Sequence, residues 1–147
     1  MAGIVCAVRG GPGSQPTISR AIKLAQETHQ KIYFLYVVNL DFLERSARSR
    51  THTISKELSQ MGEFILLTAQ VQAEQNGVEA EGGIREGNVS DEIINYCHDT
   101  DADYLILGKP KYEHEDNAFT RERLKQFAEA IEESSGAKVI LVEANEK

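Results

Sequence analysis

The chain has 147 residues, of which 41% are hydrophobic and 27% charged, and its formal net charge is -7. That length supports one folded domain over residues 1–147 with a core that needs no disulfide or structural metal, and the balance excludes disordered, fibrous and disulfide-scaffold classes. The acidic charge opposes phosphate backbones and anionic lipid, so neither nucleic acid nor a membrane is an expected partner.

Ile4, Val5, Ala7 and Val8 form a nearly continuous apolar run stopped by Arg9-Gly10-Gly11-Pro12-Gly13, the pattern of a strand buried on both faces. The opening residues show no basic region, long apolar stretch or cleavage site, which leads to the expectation of a cytoplasmic protein. Ser14 or Thr17 is placed to cap a helix carrying Ile18, Ala21, Ile22 and Ala25 at helical spacing, with Leu24 widening the stripe and an end near His29.

Residues 32–38 are dominated by β-branched and aromatic side chains and read as the second strand. In the polar stretch through Arg50, the basic residues Arg45, Arg48 and Arg50, followed by Lys56, alternate with Ser and Ala near Asp41 and Glu44 and read as a solvated loop. Ile54, Leu58, Met61, Ile65 and Thr68 then mark the inward face of a long helix that closes at Asn76-Gly77, with Gly62 inside it at a small propensity cost.

From Val78 the sequence alternates, with Val78, Ala80, Gly82 and Ile84 on one side and Glu79, Glu81 and Gly83 on the other, as in an edge strand defended by charge. Gly87, Asn88 and Ser90 open a short helix with Val89, Ile93, Ile94 and Cys97 inward and Asp91 and Glu92 in its first turn, where the helix dipole favours acid. Tyr104-Leu105-Ile106-Leu107 followed by Gly108 repeats the buried-strand pattern. A polar loop from Lys109 to about Thr120 leads to a helix with Leu124, Phe127, Ala128 and Ile131 inward, closed by Gly136, and residues 139–142 make a fifth strand.

The order βαβαβαβαβ dictates an α/β fold with a parallel sheet, right-handed crossovers and helices on both faces. Such sheets bind ligands beyond the carboxyl ends of their strands, at the loops after Val8, Val38 and Gly108. The Gly10-Gly11-Pro12-Gly13-Ser14 turn lacks the Lys-Ser/Thr end of a phosphate loop and reads as a strand-to-helix connection. A phosphorelay receiver would need acids after the first strand, an Asp after the third and a Lys after the fifth, where this chain has Arg9, Ile84-Arg85 and Glu143.

His114 beside Glu113, Glu115 and Asp116 reads as a surface cluster, so no metal site is expected. Cys6 and Cys97 lie far apart in apolar segments and read as reduced core residues. Cys97 and His98 are adjacent and so point in different directions on a helix. With no nucleophile, base and orienting group to assemble, no catalytic residues are assigned.

Several pieces in order resemble the universal stress protein family over nearly the whole chain. They are Ile4-Val5-Cys6-Ala7-Val8, Ala21-Ile22-Lys23-Leu24-Ala25, Leu35-Tyr36-Val37-Val38, Arg85-Glu86-Gly87-Asn88 leading to Ile93-Ile94, and Ala102-Asp103-Tyr104-Leu105-Ile106-Leu107-Gly108. The resemblance implies a three-layer sandwich around a five-stranded sheet of order 3-2-1-4-5, Rossmann-like and similar to adenine nucleotide alpha hydrolases. It also implies a homodimer joined through the last strand, here Val139, Ile140, Leu141 and Val142. An apolar terminal edge strand is independently an association surface.

Nucleotide-binding members of the family carry an Asp after the first strand, and after the fourth a motif of Gly, two residues, Gly, nine residues, Gly, then Ser or Thr. In this chain Arg9 stands at the Asp position. Gly108 begins the motif, but Lys111, Arg121 and Glu122 occupy its other positions. Glycine serves where backbone N–H groups approach phosphate closely, so Lys and Arg there break the cradle and Glu122 adds repulsion.

The resemblance and the topology together mark Val8, Arg9, Gly10, Val37, Leu107, Gly108, Lys109, Lys111, Arg121 and Glu122 as the ligand-facing set. The expectation is a non-catalytic stress-response protein without a cofactor, acting as a homodimer and through an unidentified protein partner. The alternative is an anion site in which Arg9, Lys109, Lys111 and Arg121 hold ATP, AMP or another anionic small ligand, with weak ATP hydrolysis conditional on that binding.

Overall fold

A computed structural model describes residues 3–8, 14–38, 51–108 and 118–142, without the side chains of residues 51–54 and 118–124. Five parallel strands, β1 (Ile4–Ala7), β2 (Ile32–Val38), β3 (Ala80–Glu86), β4 (Tyr104–Gly108) and β5 (Lys138–Val142), form one sheet of order β3-β2-β1-β4-β5. Four helices connect them: α1 (Gln15–Thr28), α2 (Thr51–Gln75), α3 (Val89–Thr100) and α4 (Ala118–Ser135). This is the Rossmann-like topology that the alternating pattern and the family resemblance anticipate.

Strand alternation divides the core into two layers. Ile4, Cys6, Phe34 and Ile106 pack with α1 and α2 on one face, while Val5, Leu35, Leu105 and Leu107 pack with α3 and α4 on the other. The central strands β1, β2 and β4 therefore bury both faces, which is why their sequences are apolar without alternation. Pairing aligns Val5 with Tyr33 of β2 and with Leu105 of β4.

Helix ends follow local chemistry. Pro16 stands at the start of α1, where a missing N–H costs nothing, and His29 closes the helix in the left-handed region with its N–H donated to the Ala25 carbonyl. Ser14 occupies the N-cap position without a side-chain cap hydrogen bond, and Thr17 lies buried within the helix, so neither caps it as expected. In α3 the cap is Asn88, whose Oδ1 accepts from the Asp91 N–H at 3.1 Å. Val89 is exposed rather than inward.

The expected inward face of α2 needs the larger correction. Met61 and Thr68 face solvent, and the residues buried against the sheet are Gly62, Leu66, Ala69 and Ala73. Small residues line this side because the helix lies close on β2. A Cβ at Gly62 would collide with Cδ2 of the Tyr36 ring, so the mid-helix glycine is a packing requirement that offsets its propensity cost.

Candidate functional site

Strand order reverses beside β1, where the chain leaves β1 toward β2 on one side and β4 toward β5 on the other. Open α/β sheets hold ligands beyond the carboxyl ends of their strands at such a reversal, and the connections that leave β1 and β4 there, residues 9–13 and 109–117, lie outside the described residues. At these ends Val8 and Leu107 are almost fully buried, Val8 in the layer of α1 and α2 and Leu107 in that of α3 and α4, and Val37 and Gly108 are partly buried beside them. The Val8 N–H donates to the Leu35 carbonyl at 2.9 Å, carrying the pairing one residue past the end of β1.

Gly108 sits where β4 meets the first turn of α1. An added Cβ would stand 2.7 Å from Oγ1 of Thr17, a side chain that is 2% exposed. The Cys6 thiol points to the same turn, with Sγ 3.9 Å from the Thr17 carbonyl. Close helix-to-strand packing is thus sufficient reason for a glycine at 108. Thr17, which the sequence suggested only as a cap, is the residue that imposes it.

The structure brings Val8, Val37, Leu107 and Gly108 to the same end of the sheet. Arg9, Gly10, Lys109 and Lys111 lie outside the described residues, as do Glu113, His114, Glu115 and Asp116. Arg121 and Glu122 belong to α4, which begins at Ala118, and their side chains are not described. Among the described residues no group of three or more His, Cys, Asp or Glu is placed to hold a metal ion, and no helix is long and apolar enough to cross a membrane.

Both cysteines are unpaired and buried. Burial pushes the Cys97 thiol up to about 12 and raises that of Cys6 further. Since the thiolate is the nucleophile, neither sulfur is reactive near neutral pH.

The second candidate surface is the outer edge of β5. Lys138 turns its N–H inward to the Asp103 carbonyl, so Val139 and Leu141 present theirs to the open edge by alternation. Residues 139–142 are half-buried. Glu132 of α4 reaches over and accepts the Val139 N–H on Oε2 at 2.9 Å, a contact invisible in the sequence because it depends on where α4 ends relative to β5.

Comparison with known proteins agrees with this architecture. The sequence pattern of the universal stress protein family matches residues 2–142. A universal stress protein of Methanocaldococcus jannaschii is 28% identical over 106 residues, a match covering 71% of this chain and 62% of that relative, so the chain spans under two-thirds of the relative's length. The universal stress protein UspA of Lactobacillus plantarum superposes with a TM-score of 0.77 at 14% identity, covering 96% of this chain and 97% of that one. The universal stress protein of Archaeoglobus fulgidus in complex with dAMP superposes with a TM-score of 0.62 at 15% identity, covering 97% and 98% of the two chains.

Proposed function

The chain belongs to the universal stress protein family, and from that premise we propose that it is a non-catalytic stress-response protein that works as a homodimer joined through β5, without the family's backbone phosphate cradle. The observation that carries this reading is the retained glycine. Gly108 is the one cradle glycine kept, and its packing against Thr17 accounts for it without any ligand. Lys111 and Arg121 stand where the other two glycines would be and Glu122 where the hydroxyl would be, and Arg9 replaces the Asp. A triphosphate would meet side-chain bulk and a carboxylate where it requires bare main chain.

Dimerisation is supported by the chemistry of β5. Its apolar residues are half-buried and two backbone positions face outward, which in an isolated subunit is an association hazard. Antiparallel pairing of two β5 strands would satisfy those groups and cover the apolar side chains, once the Glu132 carboxylate releases the Val139 N–H. The cytoplasm, a further protein partner and the absence of a cofactor belong to this same reading.

The Archaeoglobus fulgidus complex favours a second reading, in which the carboxyl end of the sheet holds an adenine nucleotide or another anion through Arg9, Lys109, Lys111 and Arg121. Calorimetric titration with ATP, AMP and dAMP, with and without magnesium, separates the two. The leading reading expects no binding heat up to millimolar ligand; micromolar affinity would replace it with the second.

A further inference from the structure

Helix α2 has two apolar faces, and the sheet uses only one. Of the five large apolar side chains exposed among the described residues, four lie on the outer side of this helix: Met61 is 55% exposed, Phe64 72%, Leu67 58% and Val71 43%. Their spacing keeps them on one stripe along about three turns, opposite Gly62, Leu66, Ala69 and Ala73. Scattered exposed apolar residues need no explanation, but a continuous stripe on a helix locked by its other face marks an interaction surface.

The polar residues at the two ends of the stripe indicate what covers it. Lys56 and Glu57 precede it and Glu74 and Gln75 follow it, all four exposed. Lys56 and Glu74 are separated by 18 residues, five whole helical turns at roughly 3.6 residues per turn, so both lie on the same side of the helix. Glu57 and Gln75 have the same separation. The midpoints of the two pairs fall at positions 65 and 66, level along the helix axis with the middle of the stripe.

A helix with this pattern is its own complement when inverted. Across a two-fold axis, Lys56 of each copy meets Glu74 of the other, Glu57 meets Gln75, and the apolar residues meet in between. A parallel arrangement would oppose like with like. Glu57, Glu63 and Glu74 beside a single Lys56 also disfavour an anionic lipid surface, which would require a basic rim.

We propose that the outer face of α2 is a self-association surface that receives α2 of a second copy in antiparallel orientation. It is separate from β5. Helix α2 packs on β2 and β3, at the opposite end of the sheet, so one subunit can use both surfaces and build assemblies larger than a dimer.

Sedimentation equilibrium of the full chain over a concentration series tests this, with circular dichroism to confirm folding of each variant. Phe64→Ser should weaken association through α2 roughly tenfold or more, since a central aromatic carries much of a small interface. Lys56→Glu and Glu74→Lys should each weaken it about threefold or more by opposing like charges, and the double reversal should return it to within about twofold of wild type. A double variant as weak as the singles, or masses that none of these changes alters, overturns the proposal. Ile140→Lys separates it from the dimer reading. If that change alone dissolves the assembly, β5 stands and α2 falls; if only the α2 variants act, the reverse holds; a wild-type monomer at millimolar concentration removes both.

Discussion

Strand β3 ends one side of the sheet and β5 the other, and their rims are built from different chemistry. Around β3, Lys31 pairs with Glu81 at 2.7 Å and with Glu79 at 3.7 Å, and Arg85 pairs with Asp99 at 2.8 Å while lying 4.8 Å from the centre of the Tyr96 ring. Gly82 and Gly83 leave little side chain for another strand to grip. The β5 rim has consecutive apolar residues, and among the described residues Glu132 stands guard over one N–H. One edge is closed by charge and the other is held open behind a single carboxylate, the contrast on which the proposed pairing through β5 rests.

The centre of the sheet sets the scale against which both edges are judged. Phe34 is fully buried between α1, α2 and the strands, and Phe34→Ala should lower the unfolding free energy by about 3–5 kcal/mol in urea titrations. The same region makes stability sensitive to alkali. The folded thiols of Cys6 and Cys97 titrate above their usual 9.0, so the unfolded chain loses those protons first. The contribution is therefore complete below pH 9 and lost as pH rises, by up to about 1.4 kcal/mol per thiol per pH unit. Denaturant midpoints measured from pH 8 to 10.5 check this.

At β5, Ile140→Lys should cost the subunit about 1–2 kcal/mol but remove strand pairing, visible as halved mass by light scattering. Glu132→Ala should do the opposite, freeing the Val139 N–H and tightening self-association roughly two- to tenfold. At β3 the smallest response is expected. Glu81→Ala removes a largely exposed pair and should change stability by about 1 kcal/mol or less, with no change in mass. A larger effect on mass from Glu81→Ala than from Ile140→Lys would exchange the roles of the two edges.

Much of the fold was legible in the sequence because its strands are short, apolar and punctuated by turn residues. The run Ile32 to Val38 matches β2 to the residue, and the alternating charges before Gly87 located the outer strand. Both faces of helix α2 carry apolar residues, and periodicity alone cannot decide which one meets the sheet. The larger side chains suggested Met61, whereas Tyr36 reserves that space for Gly62. Of the residues expected to open α3, Asn88 is the cap, its side chain accepting the Asp91 N–H.

The candidate site was legible in outline. Topology placed Val8, Leu107 and Gly108 together, but it could not show that Thr17 presses on Gly108, a contact set by the approach of α1. Glu132 on the Val139 N–H was hidden for the same reason: two elements joined by a turn acquire a contact that only their packing angle determines. The positions of Arg9, Lys109 and Lys111 in the chain are informative as chemistry, and they lie outside the described residues.

Native mass spectrometry of freshly purified protein tests the whole account in one spectrum. Dimers and their higher assemblies with no adduct on any subunit are the predicted result. Subunits carrying the mass of an adenine nucleotide, or a spectrum of bare monomers alone, would contradict it.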